Sequence, residues 1–432
     1  MSRPGAFLHL GVEIDVAART ITCRYRLDDD DFAEVAHLPE GDLTAPGVAA
    51  AAEIYALLAG VSYYKTRAPS RIDLGPFTTT PAQAAFLRRY YVAGLGEFAL
   101  KNDLDLRDIE LVGPHADAPP AAGPGDLGRL LIPFGGGLDS TVTVAELADQ
   151  ADDAALFVVE RPGARFEAIE RPAAATGLPV LRVERQLDPK VLTSAERGYL
   201  NGHVPITGVL SALAVVTAAA TGRGAVVMSN EHSASSATTD GPFGPVNHQW
   251  SKGLEFEQGF RSLVNQRVGA VTYFSWLRDR TELSIAESFA SLTEFHPLFR
   301  SCNRAFHQDP SRRLDCWCGE CDKCLFIDLA LAPHMTPDQL SAIFDGDEPL
   351  IRPSMRPQLE TLLGFGGTRP FECVGDEAEC RQALLLAAAR PDRAGATELQ
   401  ELASLLPPVP PEPPLVPTAS IPDRYAPPAR LD

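Results

Sequence analysis

Residues Phe134–Thr141 read FGGGLDST: three consecutive glycines, then a leucine, an aspartate and two hydroxyl residues. A phosphate needs several backbone N–H donors at close range, and glycine lets the chain approach without a Cβ in the way. A helix beginning at the same place adds unpaired N–H groups and a dipole that favours negative charge. Gly135, Gly136 and Gly137 would supply the backbone donors and Ser140 and Thr141 the hydroxyls, while Asp139 would hold Mg²⁺ or orient the loop. The loop lacks the Gly-Lys-Ser/Thr ending of mononucleotide P-loops and the GxGxxG spacing of dinucleotide folds. A glycine-rich turn with no ligand is the plain alternative; an Asp-Ser-Thr run at a helix start, after a clean strand, favours the phosphate reading.

A second constellation lies in SCNRAFHQDPSRRLDCWCGECDKC, which holds Cys302, Cys316, Cys318, Cys321 and Cys324. Close Cys-x-x-Cys steps bring three sulfurs together and an upstream cysteine can complete a tetrahedron, the logic of a structural zinc site. The Cys-x₂-Cys-x₂-Cys-x₃-Cys-Pro run of iron–sulfur proteins is absent. Spacing alone leaves Cys302 and Cys316 as equal candidates for the fourth ligand. Cys23, Cys373 and Cys380 read as ordinary buried thiols. A third stretch, Met228–Glu257, is dense in groups able to ionise or donate: Glu231, His232, His248, Lys252, Glu255 and Glu257. A loop of this length inside an α/β domain is more often functional than a merely solvated connection.

The elements that must position these residues alternate. RLLIPF, DAALFVVE (Asp153–Glu160), PVLRVER and GAVVMSN (Gly224–Asn230) read as apolar strands, separated by the helical patterns STVTVAELADQ, FEAIERPAAATG and TGVLSALAVVTAAATG. Strand–helix alternation predicts an α/β fold with a doubly wound, mostly parallel sheet, whose ligands bind beyond the carboxyl ends of the strands. The glycine loop and SNEHSASS both lie at such ends and would share one site. Residues 1–113 read as a separate α+β module, with strands in GAFLHLGVEIDV and TITCRYRLDDDDFAEVAHL, an exposed DDDD turn, and two helices. The Pro- and Gly-rich 114–128 segment reads as a linker, 129–330 as the catalytic domain with the cysteine cluster, and 331–406 as a helical region. The 407–432 tail holds ten of the 37 prolines and is expected to be disordered or polyproline-like.

GGGLDST resembles the pyrophosphate loop, usually Ser-Gly-Gly-x-Asp-Ser, of ATP pyrophosphatases that cleave ATP to AMP and pyrophosphate. On that match Gly135 stands where the first serine is customary, which removes one hydroxyl donor and keeps the N–H. SC…CGECDKC resembles the zinc knuckle of the 7-cyano-7-deazaguanine synthases, and that match selects Cys302, Cys318, Cys321 and Cys324, leaving Cys316 spare. Together with HVPITG, SNEHSAS and VNHQWSK, these motifs resemble the UDP-N-acetyl-muramoyl-L-alanyl-L-glutamate epimerases, MurL, over most of Arg129–Phe326. The resemblance implies ATP-dependent inversion of a terminal L-glutamate through an α-carboxyl adenylate, with a UDP-muramoyl dipeptide as substrate, ATP and Mg²⁺, and structural Zn²⁺. Within it, His232 and His248 are the proton-transfer candidates, with Glu231 as another, and Lys252 would neutralise phosphate. A deazapurine-type ligase, a tRNA-modifying adenylating enzyme and a non-catalytic zinc-stapled scaffold are the competing readings.

Composition bounds these. The formal net charge of −19, with acids outnumbering bases 57 to 38, argues against a nucleic-acid partner. No signal-peptide pattern opens the chain, and Ile206–Gly222 reads as a buried helix and not a membrane span, so the expectation is a cytoplasmic protein with reduced thiols. Nothing in the pattern fixes an oligomeric state.

Overall fold

A computed structural model describes residues 3, 5–117, 121–307, 309–367, 369–406 and 421–425. Twelve strands run in chain order as β1 (Ala6–Asp15), β2 (Thr20–Leu27), β3 (Asp30–His37), β4 (Arg71–Asp73), β5 (Glu110–Val112), β6 (Arg129–Pro133), β7 (Asp153–Glu160), β8 (Val180–Gln186), β9 (Ala225–Met228), β10 (Thr239–Gly241), β11 (Gly244–Val246) and β12 (Thr272–Ser275). Ten of them form a single sheet in the order β12-β9-β6-β7-β8-β3-β2-β1-β4-β5, and β10 and β11 make a separate hairpin. Six of its nine neighbouring pairs are parallel; β8–β3, β3–β2 and β2–β1 are antiparallel. The fold is thus mixed α/β on a large, mostly parallel sheet.

The N-terminal strands do not stand apart from the rest. Val35, Ala36 and His37 of β3 pair with Gln186, Arg185 and Glu184 of β8, so one sheet runs through both the 1–113 and the 129–330 segments. A buried ion pair locks this seam: Arg185 reaches Glu34 at 2.7 Å, and Tyr63 donates to the same carboxylate at 2.9 Å. Two charges taken out of water need such extra hydrogen bonds to hold their place. Helices Val48–Ala59 and Ile206–Ala220, almost wholly buried, share the main core with β1–β3. No helix among the described residues is long and apolar enough to cross a membrane.

A second core belongs to the C-terminal helices. It gathers Leu277 and Phe289 with Phe299, Trp317, Phe326, Leu384 and Leu402, and it includes Cys302 and Cys324. The cysteine segment therefore packs with the helices that follow it and not with the sheet. Of the expected proline-rich tail, 407–420 and 426–432 lie outside the described residues. The part between them docks on the chain itself: Tyr425 is buried, packs its ring against Phe274 and donates to the Leu127 carbonyl, while Arg424 pairs with Asp152 at 2.8 Å.

Candidate functional site

The sheet order places a crevice. From β6 the chain runs one way to β7 and β8, then returns to the other side for β9 and β12, so the loops after β6 and β9 diverge. This is the switch point at which open α/β sheets bind ligands. A cavity of about 360 Å³ opens there, lined by Gly135, Gly137, Asp139 and Ser140 after β6 and by Ser229 and Asn230 after β9.

The glycine loop has the expected build. Gly136 has φ +73°, and a Cβ there would lie 2.1 Å from the Ala168 carbonyl oxygen, so no other residue fits. A Cβ on Gly135 would meet nothing within 4 Å: its backbone faces open space. The helix Leu138–Leu147 starts at once, with Gly137 as an extended N-cap that offers no side-chain acceptor to the first-turn N–H groups. Those donors are left for an anion. Ser140 and Thr141 point their hydroxyls back to the Gly137 carbonyl, at 3.3 and 2.8 Å, so they brace the loop in this state.

Around the loop, opposite charges share little space. Lys252, Lys323 and Arg300 line the cavity with Asp139 and Glu282. Burial and the charge of Glu231 raise the Asp139 carboxyl to about 6, against the pull of Lys323 and Lys252. Burial, Glu231 and Asp139 push Glu282 up as well. Glu231 is buried with Oε2 unpartnered, and the buried Asn230 leaves Nδ2 unpartnered where it lines the cavity. Unpaired buried polar atoms beside crowded carboxylates are what a divalent cation and a polar ligand would satisfy.

Arg278 holds two of these groups in place. It is 1% exposed, donates to Glu257 at 2.8 Å and to the Glu231 carbonyl at 2.5 Å, and also donates to the Lys252 carbonyl. Glu257 and Glu255 stand on the helix Leu254–Arg267, and Glu255 pairs with Arg89 at 2.6 Å on the surface. The Met228–Glu257 stretch is thus not one open loop: it carries the β10–β11 hairpin and two short 3-10 turns, Ser233–Ser235 and Trp250–Lys252.

The two histidines singled out in the sequence part company. His232 is exposed and lies outside the residues lining the cavity. His248 donates from Nδ1 to Glu97 at 2.5 Å and hydrogen-bonds Cys373, with the His203 ring 4.4 Å away. Burial opposes the charge on His248, but its bonds to Cys373 and Glu97 raise it to about 9. Burial likewise pushes Glu97 up, and His248 and Lys101 bring it down to about 2. Cys373 lines the cavity, where Lys252 Nζ donates to its sulfur at 3.4 Å. Burial raises this thiol; Lys252, His248 and Lys323 outweigh it and hold it at about 7. Sequence reading passed over Glu97 and Glu282, assigned no role to His203 in HVPITG or to Lys323 in CGECDKC, and took Cys373 for an ordinary buried thiol.

The structure also gathers Cys302, Cys318, Cys321 and Cys324, whose sulfurs all lie within 4.8 Å of one another, with Cys316 outside the group. Sulfur separations of 3.6 Å for Cys318–Cys324 and 3.5 Å for Cys321–Cys324 suit a tetrahedral metal, for which about 3.8 Å follows from bonds of about 2.3 Å. All eight cysteines are free thiols. Lys323 sits between two of these cysteines in sequence, and Ser301, whose hydroxyl lies 2.9 Å from where a Gly137 Cβ would be, directly precedes a third.

Comparison with known proteins covers nearly the whole chain. The MurL N-terminal domain matches residues 2–276, ending just past β12, and the MurL C-terminal domain matches 298–413. The UDP-N-acetyl-alpha-D-muramoyl-L-alanyl-L-glutamate epimerase of Xanthomonas oryzae pv. oryzae is 38% identical over 356 residues, 82% of this chain and 77% of that protein. Proteins of the same name from Salinispora tropica and a Micromonospora species are 37% and 36% identical, covering 89% and 94% of this chain and 85% and 92% of their own lengths. No solved structure matches the chain.

Proposed function

Because the chain belongs to the MurL family, we propose that it is an epimerase inverting the terminal L-glutamate of UDP-MurNAc-L-Ala-L-Glu to D-glutamate, a step in making peptidoglycan precursors. We propose further that the inversion consumes ATP, releases AMP and pyrophosphate, and takes place in the cytoplasm, where ATP and a nucleotide-linked sugar meet.

The observation that carries the ATP reading is the cavity at the switch point. A backbone cradle at a helix N-terminus shares one crevice with three cations and with the Asp139 and Glu282 carboxyls. The cradle Gly135–Gly137 with Ser140 and Thr141 is assigned to the pyrophosphate end of ATP, in the manner of a pyrophosphate-loop fold. Lys252, Lys323 and Arg300 would offset phosphate charge. Asp139, with Glu231 and Glu282 nearby, would hold Mg²⁺, whose charge would neutralise the phosphates.

An α-proton beside an ionised carboxylate is very weakly acidic, because its removal sets a second negative charge next to the first. An α-carboxylate oxygen attacking the α-phosphorus of ATP displaces pyrophosphate and leaves an acyl-adenylate, in which the former carboxylate no longer carries a charge next to the α-carbon. The α-C–H is then far more acidic, and a buried base and acid with matched pKa values can exchange its proton. Water cleaves the acyl–phosphate bond and frees AMP. The four thiolates of the cysteine group are assigned to structural Zn²⁺, for which their softness and close packing fit. Bound there, the metal would pin Ser301 and Lys323 against the glycine loop.

The test is incubation of the chain with UDP-MurNAc-L-Ala-L-Glu, ATP and Mg²⁺ in deuterated water. Deuterium at the glutamate α-carbon, D-glutamate after hydrolysis, and AMP with pyrophosphate are expected together. Unlabelled L-glutamate with intact ATP would sink the assignment.

A further inference from the structure

An epimerase must place a base within reach of the α-carbon, and a base works best when its pKa lies near the working pH. The histidines do not reach the cavity. Of the residues linked to His248, only Cys373 lines it. The sulfur is reached from two sides, by His248 and by Lys252 Nζ at 3.4 Å. Behind it, Glu97 accepts from His248 Nδ1 at 2.5 Å, which fixes the ring and leaves its other nitrogen for the thiol. Lys323 donates to the Cys373 carbonyl, so the backbone of this residue is held too. Thiol, imidazole and carboxylate in series are the nucleophile–base–orienter arrangement, recognised by geometry and not by sequence position. Two cationic neighbours keep a thiolate available near neutrality, the environment that makes a cysteine reactive. Asn230, whose buried Nδ2 has no partner, lines the same cavity as Cys373.

We propose that the Cys373 thiolate exchanges the glutamate α-proton on one face of the activated substrate, with His248 and Glu97 as positioning residues. This rests on the epimerase reading above. The α-C–H bond breaks, the proton forms an S–H bond on Cys373, and the electron pair moves into the adenylate carbonyl to give an enolate. Water on the other face returns a proton to carbon, and the hydroxide left behind takes the proton from the Cys373 S–H, restoring the thiolate. In the reverse direction the Cys373 S–H bond breaks and its proton returns to carbon. No oxidant or reductant takes part.

The experiment uses the full chain with UDP-MurNAc-L-Ala-L-Glu, ATP and Mg²⁺ in deuterated water, comparing wild type, Cys373→Ala and Cys373→Ser. Deuterium entry at the α-carbon should fall about 10²–10⁴-fold in both variants, while dipeptide-dependent pyrophosphate release persists. Deuterium entry at the wild-type rate in either folded variant overturns the proposal. A second readout does not depend on the reaction: the pH dependence of iodoacetamide labelling at Cys373. Its midpoint should lie near neutrality in wild type and rise by at least one pH unit in Glu97→Gln and His248→Asn. A wild-type midpoint above 9, or one that neither variant moves, overturns the relay. Wild type that labels as expected but releases no pyrophosphate leaves the thiol standing and refutes the assigned reaction instead. Glu97, His203 and His248 also lie close enough to hold a metal; a second metal equivalent lost in His203→Ala would overturn the relay in favour of that site.

Discussion

Replacing Asp139 by asparagine should make the nucleotide-free protein more stable while abolishing its reaction. The carboxyl is raised from an ordinary 3.8 to about 6, first by burial and then by Glu231, with Lys323 and Lys252 partly offsetting them. The sign follows from proton counting: between these values the folded state binds more protons than the unfolded one, so stability falls as pH rises. The loss is absent below the unfolded value and complete above the folded one. At about 1.4 kcal/mol per pH unit the rise corresponds to about 3 kcal/mol, and since Asp139 keeps some contact with solvent in the cavity, screening brings the expectation to about 1–3 kcal/mol. Asparagine has the same shape and does not ionise. The melting temperature of Asp139→Asn should therefore exceed wild type by roughly 2–6 °C above pH 6.5, taking about 2 °C per kcal/mol for a protein of this size. The gap should close towards pH 4.5. Differential scanning of both proteins across pH 4.5–7.5, without nucleotide or Mg²⁺, reads Asp139 together with the relief of Glu282, which its charge also pushes up; titrations elsewhere in the chain cancel in the difference. A variant that melts with or below wild type throughout would refute the idea that this cavity holds unneutralised carboxylates awaiting a cation.

Arg278→Met should destabilise by about 3–5 kcal/mol, because it leaves Glu257 buried without its closest partner, and should raise KM for ATP as Lys252 and Glu231 lose their anchor. Adding Glu257→Gln should be less than additive in a double-mutant cycle, and strict additivity would count against the clamp. Cys302→Ser should remove tightly bound zinc, measured by elemental analysis, and weaken nucleotide binding at least tenfold, whereas Cys316→Ser should leave both unchanged. Equal metal content in the two variants would reverse the choice of ligand. Tyr425→Ala removes a buried ring from Phe274 and a hydroxyl bond to Leu127, and should cost about 3 kcal/mol; an unaltered melting curve would show that the C-terminal segment contributes nothing by docking.

What could be read from the sequence was what local chemistry dictates. The glycine loop announces itself because a strand, a positive-φ glycine and a helix start must be adjacent to make it, and Gly136 carries the constraint. The cysteine group announces itself through close spacing, although only packing brings Cys302, and not Cys316, into it. The unbroken sheet was hidden because its seam pairs Ala36 with Arg185, far apart in the chain, and a three-residue contact leaves no periodic trace. Strand β12 was hidden for a related reason: a four-residue segment, TYFS, after a long helix looks like its continuation or its loop.

The relay shows most plainly how a motif can be located in the sequence before its partners can. His248 was singled out because its segment is rich in ionisable groups, and that density is real. Yet its role is set by Glu97, 151 positions before it, and by Cys373 in FECVGD, where nothing nearby marks the thiol as unusual. A cysteine beside apolar neighbours is ordinarily a small buried hydrophobe. What changes it is a lysine and an imidazole brought against the sulfur by the 3-10 turn Trp250–Lys252, which Arg278 ties to the loop after β9. The net charge of −19 points the same way: it describes the surface, while the cavity concentrates Lys252, Lys323 and Arg300 at one place. Reactivity in this chain is a property of the assembled crevice, so a substitution at Arg278, which is not among the residues lining the cavity, should alter the pH dependence of Cys373 labelling as surely as one at His248.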